Sequence, residues 1–333
     1  MHPVNSTLSQ LEIGSPQSYR GLSIFPLTSS ENGSTDYLLL SEALEAGLVS
    51  VRESSHDGSV PDLVVENRAD RPVLIVDGEE LLGAKQNRVA NLTLLVPAAK
   101  STTIPVSCVE AGRWAYRSDE FALSERVHFA RGRREKLASV QASMLSTGSR
   151  YSDQGAVWDT IENKAEAMDA PSPTSAMGSV FEKHAKSLDE FVNRLQAGPN
   201  QVGGAFAVAG AVYGLDVFDK ATTFATMLPK LVRSYGIDAL ELGSDTESAP
   251  SAGGVRKFLA HLGKGRIEEH DAVGLGQDIR IEAPEVIAGG LVVDSGLIHL
   301  AAFADTDQLH PSLSPSRRFA SYRQRRRSAR QRS

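Results

Sequence analysis

Residues 72–114 read PVLIVDGEELLGAKQNRVANLTLLVPAAKSTTIPVSCVEAGRW. The apolar run Val73–Val76 predicts a buried strand that ends at Asp77, and a second β-prone run leads to Cys108. Short strands separated by turn residues are typical of a β-rich region, and polar side chains at the ends of strands are a common way to present a site. This stretch therefore predicts both the local fold and the place where chemistry is concentrated.

The sequence around this stretch changes character once. Residues 21–115 carry further short β-prone runs, among them GLSIFPL, GLVSVRE and PDLVVEN, whereas residues 116–305 show helical periodicity at 157–168 and 181–195. QVGGAFAVAGAVYG then predicts a buried strand or hairpin, and QDIRIEAP, EVIAGGLVVD and GLIHLAAF are β-prone. We predict an α+β fold in one domain, residues 21–305, with a sandwich- or barrel-like β-rich first third, a helical middle and returning C-terminal strands.

Two flanking segments lie outside this predicted domain. Residues 1–20 are polar and contain Gly14 and Pro16, which predicts a flexible lead-in. Residues 306–333 predict a disordered basic tail, because PSRRFASYRQRRRSARQRS holds eight arginines and no acid. Removing those eight charges from the net charge of −6 leaves −14. The tail is therefore the one segment whose charge would attract nucleic acid or an acidic partner. The favoured alternative is a solvated terminus with no specific role.

Bulk composition limits the class of protein. Apolar residues make up 41% and charged residues 23% of the 333-residue chain, values typical of folded globular proteins. No apolar run is long enough to span a bilayer and no signal peptide is recognisable, so we expect a cytoplasmic protein without membrane contact. A single cysteine excludes an internal disulfide within the chain and any zinc site built from several thiolates.

Four carboxylates in the central stretch are candidates for chemistry. Glu79, Glu80 and Glu110 are candidate general acids or bases, and Asp77, Glu79 and Glu80 are candidate ligands for Mg²⁺, which prefers oxygen. Neighbouring residues of a strand point to opposite faces, so at most one of Glu79 and Glu80 faces any given site. The alternative is that these carboxylates are polar faces of ordinary hairpins.

An anion-binding group is predicted beside them. Gln86, Asn87 and Arg88 suit recognition of a phosphate, a carboxylate or an amide, because arginine presents a planar fork of donors. Arg113 follows Cys108 by five positions, which is similar to the anion-cradling loop of rhodanese-like sulfurtransferases and cysteine phosphatases. An acidic residue inside that loop argues against a nucleophilic thiol, and a buried inert cysteine is the favoured alternative.

Several other polar residues carry structural interpretations. The basic stretch ERVHFARGRREK, residues 125–136, is interpreted as a solvated helix face, with an anion-binding patch as the alternative, and His184 as a core histidine on a helix. Asp216 or Asp219 is expected to cap a helix that is interrupted or restarted at Pro229.

The motifs DGEELLGAKQNR, PVSCVEAGRW, SPTSAM, NQVGG and GLDVFD together resemble one bacterial family across roughly residues 20–305. The family is named for its association with ADP-ribosylglycohydrolases and the rhodanese-phosphatase superfamily. The resemblance supplies no established activity, cofactor or catalytic set for these positions. It implies binding or processing of an anionic small molecule related to ADP-ribose or a nucleotide. A non-catalytic scaffold module and a nucleic-acid accessory protein acting through the tail remain alternatives.

Overall fold

A computed structural model of the chain describes residues 1–54, 60–243 and 251–305. The predicted tail at 306–333 therefore lies outside the described residues. The helices are α1 Pro3–Gln10, α2 Leu40–Glu45, α3 Ala130–Thr147, α4 Gln154–Ala167, α5 Gly178–Lys183, α6 Ala185–Arg194, α7 Ala221–Leu242 and α8 Ala252–Leu262. The strands are β1 Glu12–Ile13, β2 Gln17–Tyr19, β3 Leu22–Thr28, β4 Leu38–Leu39, β5 Val49–Glu53, β6 Asp62–Asn67, β7 Val73–Ile75, β8 Glu79–Gly83, β9 Arg88–Ala90, β10 Leu94–Val96, β11 Lys100–Cys108, β12 Phe121–Val127, β13 Gln201–Val208, β14 Ala211–Phe218, β15 Arg266–Asp271, β16 Gln277–Ala283, β17 Val286–Val293 and β18 Gly296–Ala304.

The largest sheet joins the two ends of the chain. Its order is β1-β3-β13-β14-β18-β17-β16-β15, with β2 paired to β3. The apolar run at 201–214 forms the β13–β14 hairpin, and this hairpin connects the first strands to the last ones. The predicted α+β class, with strands returning at the C-terminal end, is confirmed.

Both faces of this sheet are buried. Alternate residues of a strand point to opposite faces, so in β3 Ile24 belongs to one core cluster and Phe25 to another. The first cluster contains residues of α3, α6 and α7, whereas the second contains residues of α1 and α8. The glycines permit close approach of strands, since a Cβ atom on Gly214 would lie 2.4 Å from the carbonyl oxygen of Ala302.

Two smaller sheets form the predicted β-rich third. Six strands pair in the order β12-β8-β9-β11-β6-β5, and three pair in the order β10-β7-β4. Their apolar side chains, among them Val51, Leu63, Ile75 and Ile104, form a third core cluster with α2. The stretch 72–114 supplies five strands to these two sheets, β7 and β10 to the smaller and β8, β9 and β11 to the larger.

The expectation of a flexible lead-in is wrong. Residues 1–20 contain α1, β1 and β2, and β2 pairs in antiparallel register with β3. Val4 on α1 is 0% exposed and packs in the second core cluster. The few apolar residues of this segment were enough to dock it, because the large sheet offers an apolar face that must be covered.

The predicted interruption at Pro229 is also wrong, because α7 continues through it. A proline inside a helix costs about 3 kcal/mol, partly through the hydrogen bond that it cannot donate. Ala225, whose carbonyl loses that bond, is exposed to solvent. Phe224 and Leu231 are fully buried on α7 and offset this cost by packing in the main core cluster.

Two further helical interpretations need correction. The predicted helix at 181–195 is divided into α5 and α6 at His184, which is half-buried at the break and not a core histidine. The basic stretch 125–136 is not a solvated face, because His128, Arg133 and Lys136 are all buried at 1% exposure or less. No helix in the described part of the chain is long and apolar enough to cross a bilayer.

Asp219 lies at the start of α7, although Lys220 and not an aspartate occupies the N-cap position. Tyr37 donates to Asp219 Oδ1 over 2.5 Å, while Oδ2 is buried and has no hydrogen-bond partner among the residues that the structure describes. Burial raises the pKa of Asp219 to about 6, although the Tyr37 hydrogen bond and the Lys220 charge lower it. The folded state therefore binds this proton more tightly than the unfolded state does.

We expect Asp219→Asn to stabilise the protein near neutral pH by up to about 3 kcal/mol. The stability contributed by protonated Asp219 is present below the unfolded pKa and is lost as pH rises through about 6. The difference in free energy of unfolding between the variant and the native protein should therefore disappear at acid pH. Urea unfolding across this range measures it, with the exposed Asp294→Asn as control. A gap that does not change with pH would show that Asp219 titrates normally.

Candidate functional site

The β8–β9 hairpin positions the predicted binding residues. A Cβ atom on Gly83 would lie 2.7 Å from Ser118 Oγ and 2.9 Å from the Glu120 carbonyl oxygen, so the turn requires glycine. The chain then enters β9, which pairs with the end of β11, and Arg88 lies directly opposite Cys108. Paired residues of antiparallel strands project from the same face of the sheet.

A buried ion pair joins this hairpin to the segment after β11. Arg113 Nε donates to Glu110 Oε2 over 2.7 Å, and Arg113 Nη2 donates to Asn87 Oδ1 over 3.0 Å. The remaining donors reach the carbonyl oxygens of Gly83, Ala84 and Ala115. All five N–H groups of Arg113 are thus engaged by the protein, which makes it a structural clamp.

The loop before α5 closes over the same carboxylate. Thr174 Oγ1 donates to Glu110 Oε1 over 2.9 Å, and Gln86 Nε2 donates to the Glu110 carbonyl oxygen over 3.0 Å. Gly112 packs against the loop so closely that a Cβ atom would lie 2.9 Å from Thr174 Cα. Three motifs that are distant in sequence, around Gln86, Glu110 and Thr174, therefore meet at one place.

Arg88 differs from the other buried arginines. Arg113, Arg133 and Arg280 each donate a hydrogen bond to a carboxylate. Arg88 is 0% exposed, yet its nearest carboxylate oxygen, Glu53 Oε1, lies 3.8 Å from Nη2.

Only one group of the Arg88 guanidinium is satisfied. Nη1 donates to Gln86 Oε1 over 3.1 Å, whereas Nε and Nη2 have no nitrogen or oxygen partner among the described residues and the Cys108 thiol is the neighbouring polar group. A buried charge with unsatisfied donors lowers the stability of the folded protein, so its presence needs a physical explanation.

Comparison with family models decides the family of the chain. The model of the ARG and Rhodanese-Phosphatase-superfamily-associated Protein domain, ARPP-1, matches residues 10–303. The chain belongs to this family. Searches of curated proteins and of solved structures gave no match. The motifs that meet around Glu110 all lie inside the matched part of the ARPP-1 domain.

Cys108 of the ARPP-1 domain is buried in an unreactive setting. Its backbone N–H donates to Gln154 Oε1 over 2.8 Å, and Gln154 Nε2 donates back to its carbonyl oxygen over 2.8 Å, which fixes α4 against β11. Burial raises the pKa of the thiol, outweighing the Glu110 backbone N–H, the Arg88 charge and the Trp158 indole, which lower it. With Arg113 engaged elsewhere, the anion-cradle interpretation is not supported.

We expect the Cys108 thiol of the native protein to react with a disulfide reagent at least ~100-fold more slowly than in concentrated urea, because the thiolate is the reactive form and burial suppresses it. The chain has one cysteine, so the absorbance of the released thiolate reports this site alone. A native rate within about threefold of the unfolded rate would contradict a buried thiol.

The three carboxylates predicted to hold Mg²⁺ do not converge. Glu79 Oε1 accepts from Lys230 Nζ over 2.8 Å, and Glu80 Oε2 accepts from Arg126 Nε over 2.8 Å on the other side of the strand. Asp77 is engaged by two other cations. Within the described ranges, no group of three or more His, Cys, Asp or Glu residues is placed to hold a metal. The opposite orientation of Glu79 and Glu80 is confirmed, but the predicted magnesium site is not supported.

Sequence reasoning missed a buried ionic network centred on Arg133. Its Nη2 and Nη1 atoms donate to the two carboxylate oxygens of Asp216 over 2.6 Å and 3.1 Å, and its Nε donates to Asp77 Oδ2 over 3.2 Å. Lys136 Nζ donates to Asp77 Oδ1 and to the carbonyl oxygens of Ala90, at the end of β9, and of Asn91, just after it. Although burial raises the pKa of Asp216, Arg133 and His299 lower it to about 2.

The network continues through His299. His299 Nε2 lies 3.2 Å from Asp216 Oδ1, and Thr93 Oγ1 lies 2.7 Å from His299 Nδ1. An imidazole with its proton on Nε2 would donate to the Asp216 carboxylate and accept from the Thr93 hydroxyl at Nδ1. The order hydroxyl, imidazole, carboxylate resembles a hydrolytic triad, but Thr93 is 4% exposed and the other two are 0% exposed. We interpret the group as a brace between the sheets.

Proposed function

We propose that this ARPP-1 domain binds a small anionic molecule at Arg88. The observation that carries the proposal is the fully buried guanidinium whose Nε and Nη2 atoms lack nitrogen or oxygen hydrogen-bond partners within the described ranges. Gln86 orients it through Nη1, and Glu110, Arg113 and Asn87 hold the hairpin that presents it. The predicted anion-binding residues thus divide into one that contacts the ligand and others that position it.

The energetic argument compares Arg88 with the other buried arginines. Arg133 and Arg113 are compensated by carboxylates of the protein, which offsets the cost of removing their charge from water. Burial lowers the pKa of Arg88. The neighbouring Cys108 and Glu53 side chains raise this pKa, but by less than burial lowers it. A phosphate or carboxylate of a ligand would supply it through a bidentate pair with Nε and Nη2.

One neighbouring group narrows the class of ligand. Glu53 Oε2 is a buried acceptor that has no hydrogen-bond partner in the described part of the chain, whereas the Trp158 indole faces the Cys108 thiol. A ligand that meets both Arg88 and Glu53 combines an anionic group with a hydroxyl donor, as a phosphorylated sugar does. ADP-ribose and related nucleotides have this chemistry, which agrees with the association recorded in the family's name.

The proposal is that the protein binds a ligand, and it does not require that the protein catalyses a reaction. Glu79, Glu80 and Glu110, the candidate acid–base groups, are each paired with a cation of the protein. Glu53 is the carboxylate closest to the Arg88 guanidinium, at 3.8 Å. If the bound molecule is also processed, Glu53 is the residue whose replacement by glutamine should first reveal it.

A thermal-shift panel tests the proposal with inorganic phosphate, ribose 5-phosphate, ADP-ribose and NAD. A ligand at a hundred times its dissociation constant adds about 2.7 kcal/mol to the free energy of unfolding, so the melting temperature should rise. We expect the rise to disappear in Arg88→Met and to persist in Arg117→Met, which removes an exposed arginine nearby. No rise with any probe, or an equal rise in Arg88→Met, would overturn the proposal.

A further inference from the structure

A second pocket lies outside the stretch 72–114. It is open to solvent, has a volume of about 410 Å³ and is lined by α8, the β13–β14 hairpin, the β16–β17 turn and the end of β18. This volume falls within the usual range for small-molecule sites. None of its lining residues contacts Arg88 or takes part in the Asp216 network.

The floor of this pocket is apolar. Phe258, Val286 and Ala304 line it and are 6–8% exposed, and Val212 adds a half-buried wall. These residues belong to the second core cluster or pack against it. The pocket therefore opens directly onto the hydrophobic core, and an apolar group placed in it would lose contact with water.

One wall of the pocket carries two basic side chains. Lys257 and His261 are four residues apart on α8, so they project from the same side of the helix. Neither has an ion-pair partner or a side-chain hydrogen bond among the described residues. On the opposite wall, Arg134 Nη2 neutralises Asp305 over 2.8 Å, and Glu285 is exposed at the rim.

We infer that this pocket binds a small amphipathic organic acid, with its carboxylate against Lys257 and His261 and its apolar body over Phe258, Val286 and Ala304. The uncompensated basic pair selects a single anionic head, and the apolar floor selects a hydrocarbon or aromatic body. A highly charged polyphosphate would leave that floor uncovered. The inference is independent of the Arg88 site.

Saturation-transfer NMR with octanoate and 1-octanol on the full-length protein tests this inference. We expect octanoate to bind at least ~10-fold more tightly than octanol, because the alcohol lacks the charge that meets Lys257. Lys257→Met should weaken octanoate binding at least ~5-fold, whereas Arg256→Met, an exposed control on the same helix outside the pocket, should change it less than ~2-fold.

Two further variants show whether octanoate occupies this pocket or binds elsewhere on the protein. Val212→Phe fills the pocket and should abolish octanoate binding in a folded protein, while Arg88→Met should leave it unchanged. Equal binding of octanoate and octanol, equal effects of Lys257→Met and Arg256→Met, or no octanoate binding to the native protein would overturn the inference.

Discussion

Asp216→Asn is expected to lower the free energy of unfolding by about 3–5 kcal/mol, the range measured when one partner of a buried ion pair is removed. Asp216 is 0% exposed and accepts hydrogen bonds from two nitrogens of Arg133 and from His299. The neutral amide would leave the Arg133 charge with Asp77 alone, and Asp77 is already shared with Lys136. Urea unfolding followed by circular dichroism measures the change.

The matched control is Asp189→Asn. Asp189 pairs with Arg233 over 2.7 Å, but its side chain is 57% exposed, so the loss should stay below about 1 kcal/mol. Similar losses in the two variants would contradict the view that the Arg133 network braces the sheets.

The stability that Asp216 contributes depends on pH. Its pKa is lowered to about 2 in the folded protein, so this contribution is fully present above the pKa of the unfolded state and is lost as pH falls through about 2.

Arg88→Met and Arg113→Met are expected to differ sharply in stability. Arg113→Met removes the cation from the buried Glu110 carboxylate and the guanidinium donors from three carbonyl oxygens, and should cost about 3–5 kcal/mol. Arg88→Met removes one hydrogen bond to Gln86 and a buried charge that lacks a hydrogen-bonded carboxylate, so stability should change by no more than about 1 kcal/mol in either direction.

Unfolding in urea, without added anions, measures both variants beside Arg117→Met as an exposed control. A residue that is retained for ligand binding lowers the free energy of unfolding or leaves it unchanged, whereas a residue that is retained for structure raises it. A loss for Arg88→Met as large as that for Arg113→Met would show that Arg88 is a structural residue. Native-like circular dichroism of each variant is the condition for comparing them.

The regular elements were predictable where local pattern decides them. Alternation and turn residues identified the strands of the first third, and the apolar run QVGGAFAVAGAVYG indicated a buried strand or hairpin, of which the hairpin β13–β14 is the one found. Gln86, Asn87, Glu110 and Arg113 contact one another, whereas Glu79 and Glu80 pair with Lys230 and Arg126 instead. The role of the first four residues in ligand binding stays a prediction.

The predictions that failed concern residues whose interaction partners are distant in sequence. Arg133 and Lys136 lie in a basic stretch with the pattern of a solvated face, and their burial depends on Asp77 and on Asp216, 83 residues away from Arg133. One local signal was present, since Asp216 and His299 interrupt apolar β-prone runs. A polar residue in such a run requires a buried partner, but the pattern does not say which one.

The central claim, that Arg88 is kept for an anion, is tested most directly by isothermal titration calorimetry of ribose 5-phosphate into the native protein and into folded Arg88→Met. Losing a bidentate charge-assisted pair removes about 2–3 kcal/mol, so we predict binding at one site in the native protein and a dissociation constant raised roughly 100-fold in the variant. Equal affinity in the two proteins, or no binding to the native protein, would contradict the account.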